Sequence, residues 1–162
     1  MTTFGSRCHG GCVAGHVQVE SVEGPLAIAS LVGKSMPVLT RLASGLVGFR
    51  MMTKVTCTAT GVGVLSVTFD NGHVAVVDRG HVFYRPGLVE QPAESLAIGD
   101  VLDASFAYPP DYVFRRADGT TEVSTGGVRV TALVDAGLAD VYTALVNETQ
   151  RYYLTAGVLS KA

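Results

Sequence analysis

The chain has 162 residues, enough for one domain with a sizeable core. Only 16% are charged, against 48% hydrophobic, with 19 glycines and no tryptophan, a balance that disfavours salt-bridged helical surface and favours an all-β fold. A net charge of −2 carries no signature of nucleic-acid or anionic-membrane binding, and despite a mean hydropathy of +0.34 no apolar run spans a bilayer. The expectation is a soluble, cytoplasmic monomer with no nucleic-acid or membrane partner and no signal peptide.

In chain order, "MTTFGSRCHGG" (residues 1–11) has no periodicity and reads as a flexible leader. "GGCVAGHVQV" then sets Cys12 behind a glycine pair at the mouth of an alternating run, which suggests an exposed, deformable peptide bond before the cysteine. "HVQVE" alternates as a strand. "MPVLTRLASGL" is the only helix-like piece, a turn or two at most. "KVTCTATG" places Cys57 on an alternating Val/Thr segment, as a buried strand residue. "TGVGVL" (residues 60–65) lacks the lysine and helix of a phosphate loop and reads as a strand-entry turn.

Asn71-Gly72 within "VLSVTFDNGHVAVV" signals a hairpin with a type I′ turn, and Asp118-Gly119 in "FRRADGTTEV" signals a second. "GGVRVTALV", "DVYTALV" and "RYYLTAGVL" supply the remaining strands, with Tyr152 and Tyr153 as core positions. "SLVGKSMPVL" (residues 30–39) and "SLAIGDVLDA" (residues 95–104) echo one another, each after a proline-containing approach at Pro25 and Pro92. The echo suggests a duplicated architecture with pseudo-twofold symmetry.

Three features could form a site: Cys12, the pair Asp78 and His81 in "VVDRGHVF", and the C-terminal run from Asp140. A thiol is the strongest nucleophile available, and the nearest carbonyl is that of Gly11. Attack there is an N-to-S acyl shift, uphill unless the departing nitrogen receives a proton. A histidine of near-neutral pKa can supply it, and a neighbouring carboxylate would favour the imidazolium. Asp78 could hold His81 or contact the scissile amide. Three cysteines argue against a secreted disulfide framework and for a reducing compartment, although Cys8 could trap Cys12 in a disulfide until reduction. Cys8, His9, Cys12 and His16 are spaced too tightly for an ordinary zinc site, so no metal is expected. His16 and His73 read as surface residues.

The order of these pieces resembles the Hint superfamily of inteins, bacterial intein-like domains and hedgehog autoprocessing domains. "CVAGHVQVESVEGPLAIASLVG" resembles its opening block, "VTFDNGHVAVVDRGHVF" its second, which ends in Thr-x-x-His, and "DVYTALVNETQRYYLTAGVLSKA" its closing block. The resemblance implies an all-β Hint fold over residues 12–162, behind an extein-like leader of residues 1–11. It also implies a single-turnover autocatalytic activity without cofactor, the flanking polypeptide being the substrate and small thiols acyl acceptors. Cys12, Gly11, His81 and Asp78 would act at the N-terminal junction.

The departures matter equally. Asp78 replaces the threonine of Thr-x-x-His, Thr143 the closing block's Asp, and Gln150 its internal His. Lys161 and Ala162 occupy the terminal His-Asn pair, and alanine cannot cyclise to cleave the C-terminal junction. N-terminal chemistry is expected and C-terminal cleavage is not. The rival readings are a catalytically inactive Hint-fold scaffold or interaction module, an unrelated β-barrel binding module, and a cysteine hydrolase acting in trans.

Overall fold

The computed structural model describes residues 10–162. It is all-β: β1 (Val13–Ala14), β2 (Gln18–Ser21), β3 (Gly24–Ala27), β4 (Met36–Arg41), β5 (Val47–Phe69), β6 (Val74–Asp78), β7 (Val82–Arg85), β8 (Val89–Pro92), β9 (Val101–Leu102), β10 (Val113–Arg115), β11 (Thr121–Val123), β12 (Val128–Val146), β13 (Arg151–Tyr153) and β14 (Leu159–Lys161). Two single 3₁₀ turns, Ile28–Leu31 and Ala93–Ser95, interrupt them. Among the described residues no helix is long and apolar enough to cross a membrane.

The strands form an eight-stranded sheet in the order β3-β2-β4-β5-β6-β1-β12-β9, a four-stranded sheet β13-β14-β7-β8, and the hairpin β10-β11. The echo between residues 30–39 and 95–104 has a structural counterpart. In each half a hairpin (β2-β3, β7-β8) leads into a 3₁₀ turn, then a strand (β4, β9), and later one very long strand (β5, β12). The long strands pair with each other antiparallel, from Val130 opposite Phe69 to Val146 opposite Met52.

That ribbon is interrupted by five register shifts, and two of them centre on glycines. Three steps on β12 between Asp135 and Leu138 face two on β5, and the bulge contains Gly137 at φ +78°. Three steps on β5 between Ala59 and Val62 face two on β12, around Gly61 at φ +60°. Glycine tolerates the left-handed region, and a bulge there increases local twist. The "TGVGVL" segment is therefore a bulge within a continuous strand, where a strand-entry turn was expected. The shifted register also turns Cys57, opposite Tyr142, to solvent rather than into the core.

The helix-like segment "MPVLTRLASGL" is β4 and the turn that follows. Val38 and Thr40 alternate inward, and β4 fills the gap between β2 and β5, so tertiary pairing overrides local propensity. "RYYLTAGVL" is a hairpin, β13-β14, rather than one strand. Both loops expected as type I′ turns have positive φ at the glycine alone, Gly72 and Gly119. Gly72 N–H donates to the Phe69 carbonyl and Phe69 N–H to the His73 carbonyl; Gly119 with Arg116, and Arg116 with Thr120, repeat the pattern. This is a type I turn closed by a glycine bulge, the three-residue alternative.

The core lies between the two larger sheets. Val13, Val19, Ile28, Val38, Val67, Phe69, Val77, Phe83, Val130, Tyr152 and Val158 belong to one buried cluster. Its effect on the site is direct, because β1, β6 and β7 contribute Val13, Val77 and Phe83 to the core beside the candidate centre, and Val158 does so just before β14.

Candidate functional site

Gly10, Gly11 and Cys12 run through the protein interior, and all three are buried. The exposed, flexible pair expected from the sequence is instead clamped on both sides. Val82 N–H donates to the Gly10 carbonyl at 2.7 Å, and Asp78 N–H donates to the Cys12 carbonyl at 3.1 Å. The turn from Asp78 to Val82 thus straddles the Gly11–Cys12 peptide bond, with His81 inside it. Beyond Cys12 the chain joins the sheet, Val13 pairing with Val77 on β6 and Tyr142 on β12.

Cys12 packs against Val64 and Val141 of the long ribbon. Its sulfur is disulfide-bonded, whereas Cys57 is free. The trap on Cys12 considered from sequence involves Cys8, which lies outside the described residues, as does His9 of the weighed metal set. Among the described residues no three His, Cys, Asp or Glu side chains gather into a metal-binding group. His16 and His73 are exposed and share the rim of a small recess of about 150 Å³ with Gln18 and Thr155.

His81 is completely buried, edge-on to Phe83 at 4.8 Å between centroids. Its Nε2 lies 2.6 Å from the Ser160 hydroxyl oxygen. Nδ1 closes no hydrogen bond of good geometry with the described residues. Burial pushes the pKa down to about 3, partly opposed by the nearby Cys12 backbone. The near-neutral histidine expected from sequence is therefore a neutral imidazole at pH 7, because desolvation dominates and no carboxylate among the described residues offsets it. Asp78 does not supply that charge: its carboxylate accepts from Gly80 N–H at 2.8 Å, and its carbonyl accepts from His81 N–H at 2.9 Å. It shapes the turn that carries His81.

The sequence reading missed Ser160 and Tyr152. They face one another across β13-β14, and Ser160 also pairs with Phe83 on β7. The Tyr152 hydroxyl is buried, and burial raises its pKa, with Ser160 offsetting part of the shift. Alternation along "GVLSKA" could have marked Ser160 as an inward polar residue on an otherwise apolar face.

The chain end completes the site. Ala162 N–H donates to the Gln150 carbonyl at 3.0 Å, and Lys161 Nζ reaches Glu90 at 2.9 Å. A Cβ built on Gly11 would fall 2.3 Å from the Ala162 carbonyl carbon. The last residue and the residue before Cys12 are thus in backbone contact. Thr143 pairs with Thr56 in the ribbon, and the antiparallel register of β1 on β12, with Val13 opposite Tyr142, sets it one step further along, on the Cys12 side.

No protein-family model matches the chain, and no curated protein sequence does either. Solved structures do. A DnaB intein from Synechocystis superposes with a TM-score of 0.71 at 12% identity, over 94% of this chain and 98% of its own. A bacterial intein-like domain from Clostridium thermocellum gives 0.71 at 18% identity, over 96% of this chain and all of its own. The chain has the Hint fold. A DnaX mini-intein from Spirulina platensis agrees, with a TM-score of 0.69 at 12% identity over 93% and 99% of the two chains. At such low identities the shared Hint fold is the finding. The chemistry has to be argued from this chain's own residues.

Proposed function

We propose that this Hint-fold chain is a self-processing domain that performs an N-to-S acyl shift at its Gly11–Cys12 bond. The observation carrying the reading is the Asp78–Val82 turn, whose N–H groups grip the carbonyls on either side of the bond while buried His81 sits within it. A turn of that shape fixes the peptide plane and presents an imidazole to it.

The step begins with reduction of the Cys12 disulfide by an external thiol or phosphine. Neutral His81 then removes the thiol proton, and Cys12 Sγ attacks the Gly11 carbonyl carbon. The C–N bond breaks as the imidazolium returns that proton to the departing nitrogen, which becomes the α-amino group of Cys12. One S–C bond forms, one C–N bond breaks, and the proton is conserved. The thioester then passes its acyl group to water, a small thiol or another nucleophile.

Desolvation keeps the resting imidazole unprotonated, the state needed to accept a proton before returning it. In the matching tautomer Nε2–H donates to Ser160 Oγ, leaving the Nδ1 lone pair for the thiol proton. Asp78 acts through the turn. Lys161 and Ala162 provide no side chain able to cyclise, so cleavage at the C-terminal side forms no part of the reading.

The deciding experiment is incubation with a phosphine reductant plus hydroxylamine, followed by intact-mass measurement. Loss of residues 1–11, abolished by Cys12→Ala, is the expected result. An unchanged mass after full reduction would leave a Hint-fold scaffold without chemistry.

A further inference from the structure

We infer that the backbone of Ala162 acts as a gate on the residue preceding Cys12 and admits only glycine there. The inference rests on the self-processing reading and specifies its substrate: acyl donors ending in glycine.

The geometry is steric. An ideal Cβ on Gly11 would lie 2.3 Å from the Ala162 carbonyl carbon, 2.5 Å from its oxygen and 3.0 Å from the Lys161 carbonyl oxygen. All three are main-chain atoms. Neighbouring Gly10 provides the contrast. Its φ of +109° makes glycine a conformational requirement, yet a Cβ there would meet the ends of the Lys161 and Val82 side chains, at 3.0 and 3.2 Å. Gly11 lies outside the left-handed region, so any residue could adopt its backbone shape. Space alone excludes a side chain.

Neither wall can recede cheaply. On one side, Lys161 pairs with Arg151, Ser160 pairs with Phe83, and Ala162 N–H is held by the Gln150 carbonyl. Gln150 is itself locked, at φ +51° with its N–H on the Val146 carbonyl at 3.1 Å. On the other side, the hydrogen bonds to the Gly10 and Cys12 carbonyls fix the strand that carries Gly11. A methyl group at position 11 must therefore break either the tail's anchorage or the grip of the Asp78–Val82 turn. The C-terminal strand thereby sets the specificity of the N-terminal junction.

The test uses Gly11→Ala in the full chain and in a chain lacking Lys161 and Ala162. Two quantities are measured: release of residues 1–11 under phosphine and hydroxylamine, and hydrogen exchange of the Ala162 amide. In the full chain Gly11→Ala should slow release by roughly tenfold or more, in line with overpacking of a rigid site, and should speed Ala162 exchange at least as much. Without the tail, the glycine and alanine forms should cleave at similar rates. Unaltered Ala162 exchange in Gly11→Ala overturns the gate, and so does release as fast as that of the glycine form. If the glycine form itself releases nothing, the self-processing reading fails, and Ala162 exchange alone decides whether the gate exists.

Discussion

Ser160 Oγ lies 2.6 Å from His81 Nε2, and both side chains are wholly buried. The pair links β14, the last strand, to the turn around the Gly11–Cys12 bond, so the end of the chain orients the group proposed to handle the proton. Ser160→Ala should slow release of residues 1–11 by about tenfold, because the ring loses the hydrogen bond that fixes its orientation. It should also lower stability by about 1 kcal/mol, the net worth of one buried hydrogen bond. A positioning role further requires the pH dependence of cleavage to shift. Equal cleavage with lower stability would reduce the contact to packing.

His81 makes the protein sensitive to acid in a defined window. Its pKa is about 3 in the folded state and near 6.5 when unfolded, so the unfolded chain binds the extra proton. The contribution is complete above pH 6.5 and is lost as pH falls from there toward 3, by about 1.4 kcal/mol per pH unit. Urea unfolding at stepped pH should show this slope in the parent and its absence in His81→Asn. The same variant should cleave at least about 100-fold more slowly, as expected for loss of a general acid–base group.

A buried carboxylate, Asp103, supports the strands that carry the site. Asp103 accepts from Arg41 Nε at 2.9 Å and from the Tyr153 hydroxyl, and its backbone ties β7 to β14 through Tyr84 and Leu159. Asp103→Ala removes the partner of a mostly buried guanidinium and should cost about 3–5 kcal/mol, read as a lower urea midpoint. Release of residues 1–11 should slow as well, since β7 follows His81 directly and β14 carries Ser160. A stability loss with unchanged cleavage would separate this cluster from the site.

Much of this was legible in the sequence because it was local. Period-two alternation marked β2, β6 and the two halves of β12, and glycine after Asn71 or Asp118 marked both hairpins. What escaped depends on long-range contacts. Nothing around Gly10 and Gly11 announces that Val82 and Ala162 bury them, so two glycines read as flexible. His81 was assigned an ordinary pKa because its burial depends on β14, a strand distant in sequence, as well as on nearby Phe83. Ser160 passed unnoticed for the same reason, with 79 positions separating it from His81. Cys57 followed the alternation of its own strand but not the bulges that turn that strand around.

The disulfide on Cys12 gives the proposed reaction a redox lock. A sulfur in a disulfide cannot attack the Gly11 carbonyl, so reductant and acyl acceptor are separate requirements. A phosphine alone should open the lock and leave most of the chain at full mass, because the amide is favoured over the thioester. Hydroxylamine alone should do nothing, and the two together should release residues 1–11. On the sequence reading that Cys8 is the trap, Cys8→Ser should remove the need for the phosphine, whereas Cys57→Ser should change nothing, since Cys57 is free. Release by hydroxylamine alone from the unreduced parent would show that the lock does not govern the reaction. A continued demand for reductant in Cys8→Ser would place the disulfide partner in another molecule.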